Sequence, residues 1–204
     1  MKTFICYGDS NTYGYDPRSF VGDRFPKEIR WTKILEKSLG VPVQEHGING
    51  RCIPHTGNAV AFFKEQIDRW SHLEDAYLLL MLGTNDFLQN PKALAEEVAG
   101  RMGEFLSEVL PLAGSLRVIL VTPPRMQRGA WVEEDSMCIE SGRLGDCYRE
   151  LAEVFNIPCI DMSKVEIPLL YDGVHMSEEG HRIFAEYIAG ELMRGRVRAV
   201  GEEP

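Results

Sequence analysis

The chain alternates short strand-length runs with longer amphipathic stretches, and this rhythm restricts its fold more than any other feature. Strand-length segments occur at Thr3–Tyr7, Val43–His46, Tyr77–Leu82, Arg117–Thr122 and Pro158–Asp161. Helical patterns fill the intervals and the end of the chain, over Ile29–Leu39, Asn58–Trp70, Pro91–Leu110, Ile139–Phe155 and Ser177–Met193. The third and fourth strands read as continuous apolar runs, as parallel strands covered on both faces do. Alternation of this kind predicts an α/β fold: three layers, α/β/α, around a flavodoxin-like, mostly parallel sheet of about five strands. The last helix has good start chemistry, with Ser177 as N-cap and Glu178 and Glu179 in the first turn. Its apolar stripe (Ile183, Phe184, Tyr187, Ile188, Leu192) has helical spacing and is expected to pack on the sheet. Pro91 suits the first turn of its own helix. No internal repeat, low-complexity tract or linker interrupts the pattern, so residues 1–204 are expected to form one domain.

Composition narrows the classes of function. A formal net charge of −9 argues against a nucleic-acid partner, which needs clustered Lys and Arg. The longest conspicuous apolar run, Ala76 to Leu82, has the length of a strand, so no membrane span is expected. Met1-Lys2-Thr3 leads directly into a short strand without a signal peptide's apolar stretch, and the expected location is cytoplasmic. Five cysteines (Cys6, Cys52, Cys138, Cys147, Cys159) form no CxxC pair and lack metal-binding spacing. They are expected to be reduced, structural thiols. His46, His55 and His72 are scattered, and no metal or organic cofactor is expected.

The first strand, ending Phe4-Ile5-Cys6-Tyr7, stops at Gly8-Asp9-Ser10-Asn11. Open α/β sheets bind ligands just beyond the carboxyl ends of their strands, which is where Ser10 falls. Taken alone, this tetrapeptide reads as a turn followed by a helix cap. The far end of the chain changes that reading, because Asp172-Gly173-Val174-His175 supplies a carboxylate and an imidazole. Ser, His and Asp are the parts of an activated nucleophile. Two further blocks also follow strands: Gly47-Ile48-Asn49-Gly50 and Gly83-Thr84-Asn85-Asp86. On their own, Gly50 reads as a turn former and Asn85 as a helix cap. Asp9 and Asp86 read as structural, bonding their own loops. His181, one turn into the last helix, reads as a surface or packing residue.

Together the four blocks resemble the SGNH hydrolases, also called GDSL-type esterases and lipases, most closely the small arylesterase and acyltransferase members. The matching residues are Ser10, Gly50, Asn85 and His175, with Asp172 three positions before the histidine. An insert at Gly22 to Phe25 and the pair Arg30-Trp31 extend the likeness. Asn11 departs from the pattern, since the family usually has leucine there; that position tunes the pocket or loop. The resemblance implies that Ser10 attacks an acyl carbonyl, His175 shuttles its proton, and Asp172 orients the imidazole. It also implies an oxyanion hole from the backbone N–H of Ser10, that of Gly50 and the side-chain amide of Asn85. Glycine at position 50 would permit close backbone approach.

The implied function is hydrolysis of small or short-chain carboxylic esters, with a small-molecule ester as partner and a homo-oligomer as the expected assembly. The stretch Pro123 to Trp131 and the segment Asp16 to Phe25 are candidate pocket walls. Trp31, Phe62, Phe63 and Trp70 have helical spacing and read as core or interface. Two alternatives stay open. One is a carbohydrate O-acetyl esterase using the same three side chains, since pocket walls set substrate choice. The other is a flavodoxin-like module binding an anion or nucleotide at Gly8-Asp9-Ser10-Asn11, for which the loop lacks both GxGxxG and a Walker lysine. The common α/β-hydrolase fold is excluded, because no G-x-S-x-G pentapeptide occurs.

Overall fold

The structure, a computed structural model, describes residues 2–21 and 23–195. Gly22, part of the insert quoted above, lies outside the described residues. Five strands form one sheet: β1 (Thr3–Gly8), β2 (Val43–Gly47), β3 (Ala76–Met81), β4 (Arg117–Val121) and β5 (Cys159–Ile160). Their order is β2-β1-β3-β4-β5 and every pairing is parallel. That order is flavodoxin-like, and the direction of winding reverses between β1 and β3. A crevice opens at such a switch point beyond the strands' carboxyl ends.

Alternate residues of the strands enter two separate cores, as the two-residue period of a strand requires. Ile5, Tyr7, Leu78, Leu80, Val118 and Leu120 face one side, where helices α3 (Gly57–Ser71), α5 (Ala95–Val109) and α6 (Asp135–Phe155) pack. Phe4, Cys6, Leu79, Met81, Ile119 and Val121 face the other, against α2 (Trp31–Leu39) and α7 (Glu178–Met193). The three-layer expectation therefore holds. Ser177 caps α7 as expected, its hydroxyl accepting from the Gly180 amide at 3.1 Å. Trp31, Phe63 and Trp70 are core residues, whereas Phe62 is exposed.

Three local expectations need correction. Helix α5 begins at Ala95, so Pro91 lies in the preceding turn and not in the helix. Carboxylates place that start: Glu97 accepts from the Leu94 amide at 3.0 Å and Glu140 from the Ala95 amide at 2.9 Å. Helix α6 begins at Asp135, four residues before the expected Ile139. Two one-turn helices, α1 (Ser10–Tyr13) and α4 (Thr84–Gln89), follow β1 and β3 directly. The sequence offers only a turn and a helix cap at these points, because so short a helix shows no helical period. No helix among the described residues is long and apolar enough to cross a membrane.

Candidate active site

The site is built on α1 and α4, which leave adjacent strands at the switch point. The fold first has to turn the chain sharply after Gly8. Asp9 does this as N-cap of α1, its carboxylate accepting from the Asn11 amide at 2.9 Å. Ser10 is then the first residue of a helix, a position whose amide has no intrahelical acceptor. Its side chain is almost fully buried, at 6% exposure. From below, Trp31 supports the turn through a hydrogen bond from Nε1 to the Asn11 carbonyl at 3.1 Å.

Opposite Ser10, the loop after β5 brings His175 and Asp172 to the same point. His175 Nε2 lies 2.9 Å from Ser10 Oγ, and Nδ1 lies 2.6 Å from Asp172 Oδ2. The other carboxylate oxygen, Asp172 Oδ1, accepts from the amides of Val174 (2.9 Å) and His175 (3.0 Å). Burial pushes the Asp172 carboxyl up, but the hydrogen bonds from the His175 ring and from these two amides outweigh it. The net result lies below the usual carboxylate value, so Asp172 is ionised at neutral pH. Gly173 makes the loop possible: its φ is +77°, and a Cβ there would lie 2.0 Å from the Gln127 carbonyl oxygen.

Gly50 and Asn85 converge on the same crevice. Gly50 occupies the turn Ile48–Arg51 with φ +74°, and the Arg51 amide closes that turn on the Ile48 carbonyl at 3.2 Å. A Cβ at Gly50 would meet no protein atom within 4 Å. The left-handed backbone favours glycine here, in keeping with its reading as a turn former. Asn85 is a residue of α4, which Gly83 caps, so it is not itself a cap. Its Nδ2 donates to the Arg51 carbonyl at 3.0 Å and to Asp9 Oδ2 at 3.4 Å. The amide thus ties α4 to the Gly50 turn and to the residue before Ser10.

Several side chains that shape the site were missed or misread. Arg51 donates to the Gly8 carbonyl at 2.9 Å and to the His46 carbonyl, stacking on Tyr7 with 3.9 Å between guanidinium and ring centre. It fastens the Gly50 turn to the ends of β1 and β2. Asp86 does not bond its own loop; it accepts from the Ile53 amide at 3.1 Å and from Arg101 at 3.2 Å, bracing the chain just after that turn. Asp9 bonds its own loop as expected. It is fully buried, and burial raises its pKa to about 6 against the opposing effects of the Asn11 amide and His175. Tyr15 stands edge-on to the His175 ring, with 4.9 Å between centres, and Trp131 does so at 5.1 Å. No local pattern marks Tyr15; its role depends on the turn after α1.

The two expected walls flank this arrangement. The stretch after β4 is laced to the loop that carries Asp172 and His175 by backbone hydrogen bonds: Gln127 to Gly173, Ala130 to Tyr171 and Trp131 to Asp172, all 3.0 Å. Trp131 remains 47% exposed. The segment Asp16 to Phe25 folds back through the bridge Tyr15–Arg24 and receives the Tyr171 hydroxyl on the Pro17 carbonyl at 3.0 Å. His181 is buried and packs edge-on to Phe25; burial holds its pKa down to about 3, so it is neutral. All five cysteines are free. Burial raises every thiol above its ordinary pKa, Cys52 and Cys159 to about 12, which leaves none activated as a nucleophile.

Among curated proteins, none matches the chain in sequence. Solved structures match it over nearly its whole length. The aryl esterase of M. smegmatis has a TM-score of 0.81 at 24% identity, covering 95% of this chain and 99% of its own. Est24, a carbohydrate acetylesterase from Sinorhizobium meliloti, has a TM-score of 0.79 at 24% identity with the same coverage. A member of the lipolytic G-D-S-L family from Veillonella parvula has a TM-score of 0.67 at 20% identity, covering 95% and 100%. At these identities the likeness is one of fold. The family is shown by sequence, since residues 6–183 match the model of the GDSL-like lipase/acylhydrolases from the end of β1 into α7. The chain therefore belongs to the GDSL-like lipase/acylhydrolase family, a family of ester hydrolases.

Proposed function

We propose that Ser10 is the nucleophile of a carboxylic ester hydrolase acting on small or short-chain esters through an acyl-serine intermediate. The observation that carries this reading is the hydrogen-bonded series Ser10 Oγ, His175 Nε2, His175 Nδ1, Asp172 Oδ2, at 2.9 and 2.6 Å. With Nδ1 protonated toward Asp172, Nε2 is free to accept the serine proton as Oγ attacks the acyl carbon. The imidazolium formed is stabilised by the Asp172 carboxylate. The carbonyl π electrons pass to oxygen, where the amides of Ser10 and Gly50 and the Asn85 side chain form the oxyanion hole. When the tetrahedral intermediate collapses, the bond to the alcohol breaks and His175 returns the proton to the leaving oxygen. Water then repeats the sequence on the acyl-serine and releases the carboxylic acid. Binding of the oxyanion would draw the Asn85 amide from its present acceptors.

A second reading, a carbohydrate O-acetyl esterase, is favoured by the surroundings of Trp131. That indole, edge-on to His175, also lines a cleft of about 640 Å³ with Asn90, Lys92, Glu133 and Ser136. His175 protonates the leaving alcohol, so a wall beside it faces the alcohol part of the ester. An exposed indole among polar side chains suits a sugar as well as an aryl group. The anion-binding alternative leaves the hydrogen-bonded Asp172 and His175 without a role. Five free cysteines fit a reducing compartment, and we place the reaction in the cytoplasm on that ground.

Hydrolysis of p-nitrophenyl esters and acetylated sugars by the folded wild type and Ser10→Ala tests the proposal. Turnover of acetate esters that disappears in the variant is the expected result. Equal rates in both proteins would refute the serine mechanism, and equal turnover of short and long acyl chains would refute the short-chain preference.

A further inference from the structure

Asn11 stands where the resembling family has leucine, and its side chain spans the gap between the two halves of the site. Nδ2 donates to the Val174 carbonyl at 3.0 Å, and Oδ1 accepts from the Met176 amide at 2.9 Å. These two groups belong to the residues on either side of His175. A carbonyl can only accept and an amide N–H can only donate, so the two partners fix which way the Asn11 amide faces. The residue is 2% exposed. Its own backbone is held at both ends, the amide on Asp9 at 2.9 Å and the carbonyl by Trp31 at 3.1 Å.

Asp172 orients the imidazole, but it belongs to the same loop as His175. It cannot set how far that loop stands from α1. The loop's bonds to residues 127–131 tie it to the segment leaving β4, again not to α1. Apart from the Ser10–His175 bond, the Asn11 side chain is the hydrogen-bonded link between α1 and residues 172–176 among the described residues. The two segments are about 165 residues apart in sequence, so their spacing must come from a tertiary contact of this kind.

We propose that Asn11 is a positioning residue: by holding both peptide neighbours of His175, it sets the distance between Ser10 Oγ and His175 Nε2. The inference rests on the reading of Ser10 and His175 given above. Leucine has a similar branched shape but no polar atoms, and it would leave the Val174 carbonyl and the Met176 amide buried without these partners. The loop would then settle elsewhere, and a misplacement of about 1 Å between reacting groups can cost about 10²-fold in rate.

The test uses the full chain with Asn11→Leu and Asn11→Asp. Four quantities are measured: kcat and KM on p-nitrophenyl acetate, the rate of inactivation by a serine-reactive phosphonate, and the low-field proton resonance of the His175 Nδ1–H bonded to Asp172. For Asn11→Leu, kcat and the inactivation rate are expected to fall about 10²-fold with KM nearly unchanged. The low-field resonance should persist, because the Asp172–His175 pair lies within one loop. Asn11→Asp keeps the acceptor for Met176 and sets a carboxylate against the Val174 carbonyl. It should lose at least about tenfold in both rates, and it serves if the leucine variant does not fold. Rates within threefold of wild type in a folded variant overturn the inference. So does a loss of activity accompanied by loss of the low-field resonance, which marks general collapse of the loop. Failure of the phosphonate to modify wild type, or equal modification of Ser10→Ala, would instead overturn the underlying reading of Ser10.

Discussion

Replacing Asp172 by asparagine alters a single side-chain atom and should abolish nearly all activity while preserving the fold. The reason lies in which oxygen does what. Oδ1 accepts two buried backbone amides, from Val174 and His175, while Oδ2 faces His175 Nδ1 at 2.6 Å. If the asparagine turned its NH₂ toward the two amides, three donors would meet with no acceptor, at about 1–3 kcal/mol for each amide left unpaired. The asparagine oxygen therefore stays on the amides and its NH₂ faces Nδ1. A donor facing Nδ1 holds the imidazole in the tautomer with its proton on Nε2, the atom 2.9 Å from Ser10 Oγ. That nitrogen can no longer take the serine proton. Tautomer loss of this kind costs about 10⁴ in kcat, or about 5.5 kcal/mol of barrier. The assay is kcat on p-nitrophenyl acetate alongside a thermal melt. Asp172→Asn should keep a melting temperature within a few degrees of wild type. Asp172→Ala, which strands both amides, should lose stability as well as activity. A folded Asp172→Asn with kcat within tenfold of wild type would refute the reasoning.

Other expectations can be checked with the same proteins. Asn85→Ala should lower kcat by about 10²–10³ with a small change in KM, because one oxyanion donor is removed; an unchanged kcat would take Asn85 out of the hole. Asp9 has a folded pKa of about 6, above the ordinary 3.8, so between those values the native chain binds more protons than the unfolded one. Its burial therefore makes stability fall as pH rises from about 4 to about 6, by about 3 kcal/mol in all, and Asp9→Asn should flatten that slope in urea melts. Asp172 has the opposite sign: its depressed pKa adds stability above the ordinary carboxylate value that is lost as pH falls through the folded pKa, and Asp172→Asn should remove that acid-side loss. Trp131→Ala should raise KM for aryl and sugar acetates more than it lowers kcat; equal effects on acetates of a small aliphatic alcohol would show that Trp131 does not contact the alcohol part.

The layers of this fold are legible in the sequence because each long helix carries its own period and the central strands stand out between them as short apolar runs. The blocks of the candidate site are legible for a related reason. Ser10, Gly50, Asn85 and the Asp172–His175 pair each follow a strand, and parallel strands bring all their carboxyl ends to one edge. What escapes is everything decided by contacts between those blocks. The one-turn helices α1 and α4 are too short to show a period. Pro91 and Ile139 looked like helix starts, but Glu97 and Glu140 place the start of α5 and α6 begins at Asp135. Asp86 looked local, yet it braces Ile53 and Arg101. Asn11 could be seen as a departure from the family's leucine, but its partners Val174 and Met176 become visible only when the two ends of the chain meet.

The most direct test of the account is to treat the folded chain with a serine-reactive phosphonate and map the adduct by peptide mass spectrometry. Stoichiometric modification of the peptide carrying Ser10, absent in Ser10→Ala and slowed in His175→Ala, is the predicted result. An adduct on any other residue, or labelling of Ser10→Ala at the wild-type rate, would contradict the assignment of Ser10 as nucleophile.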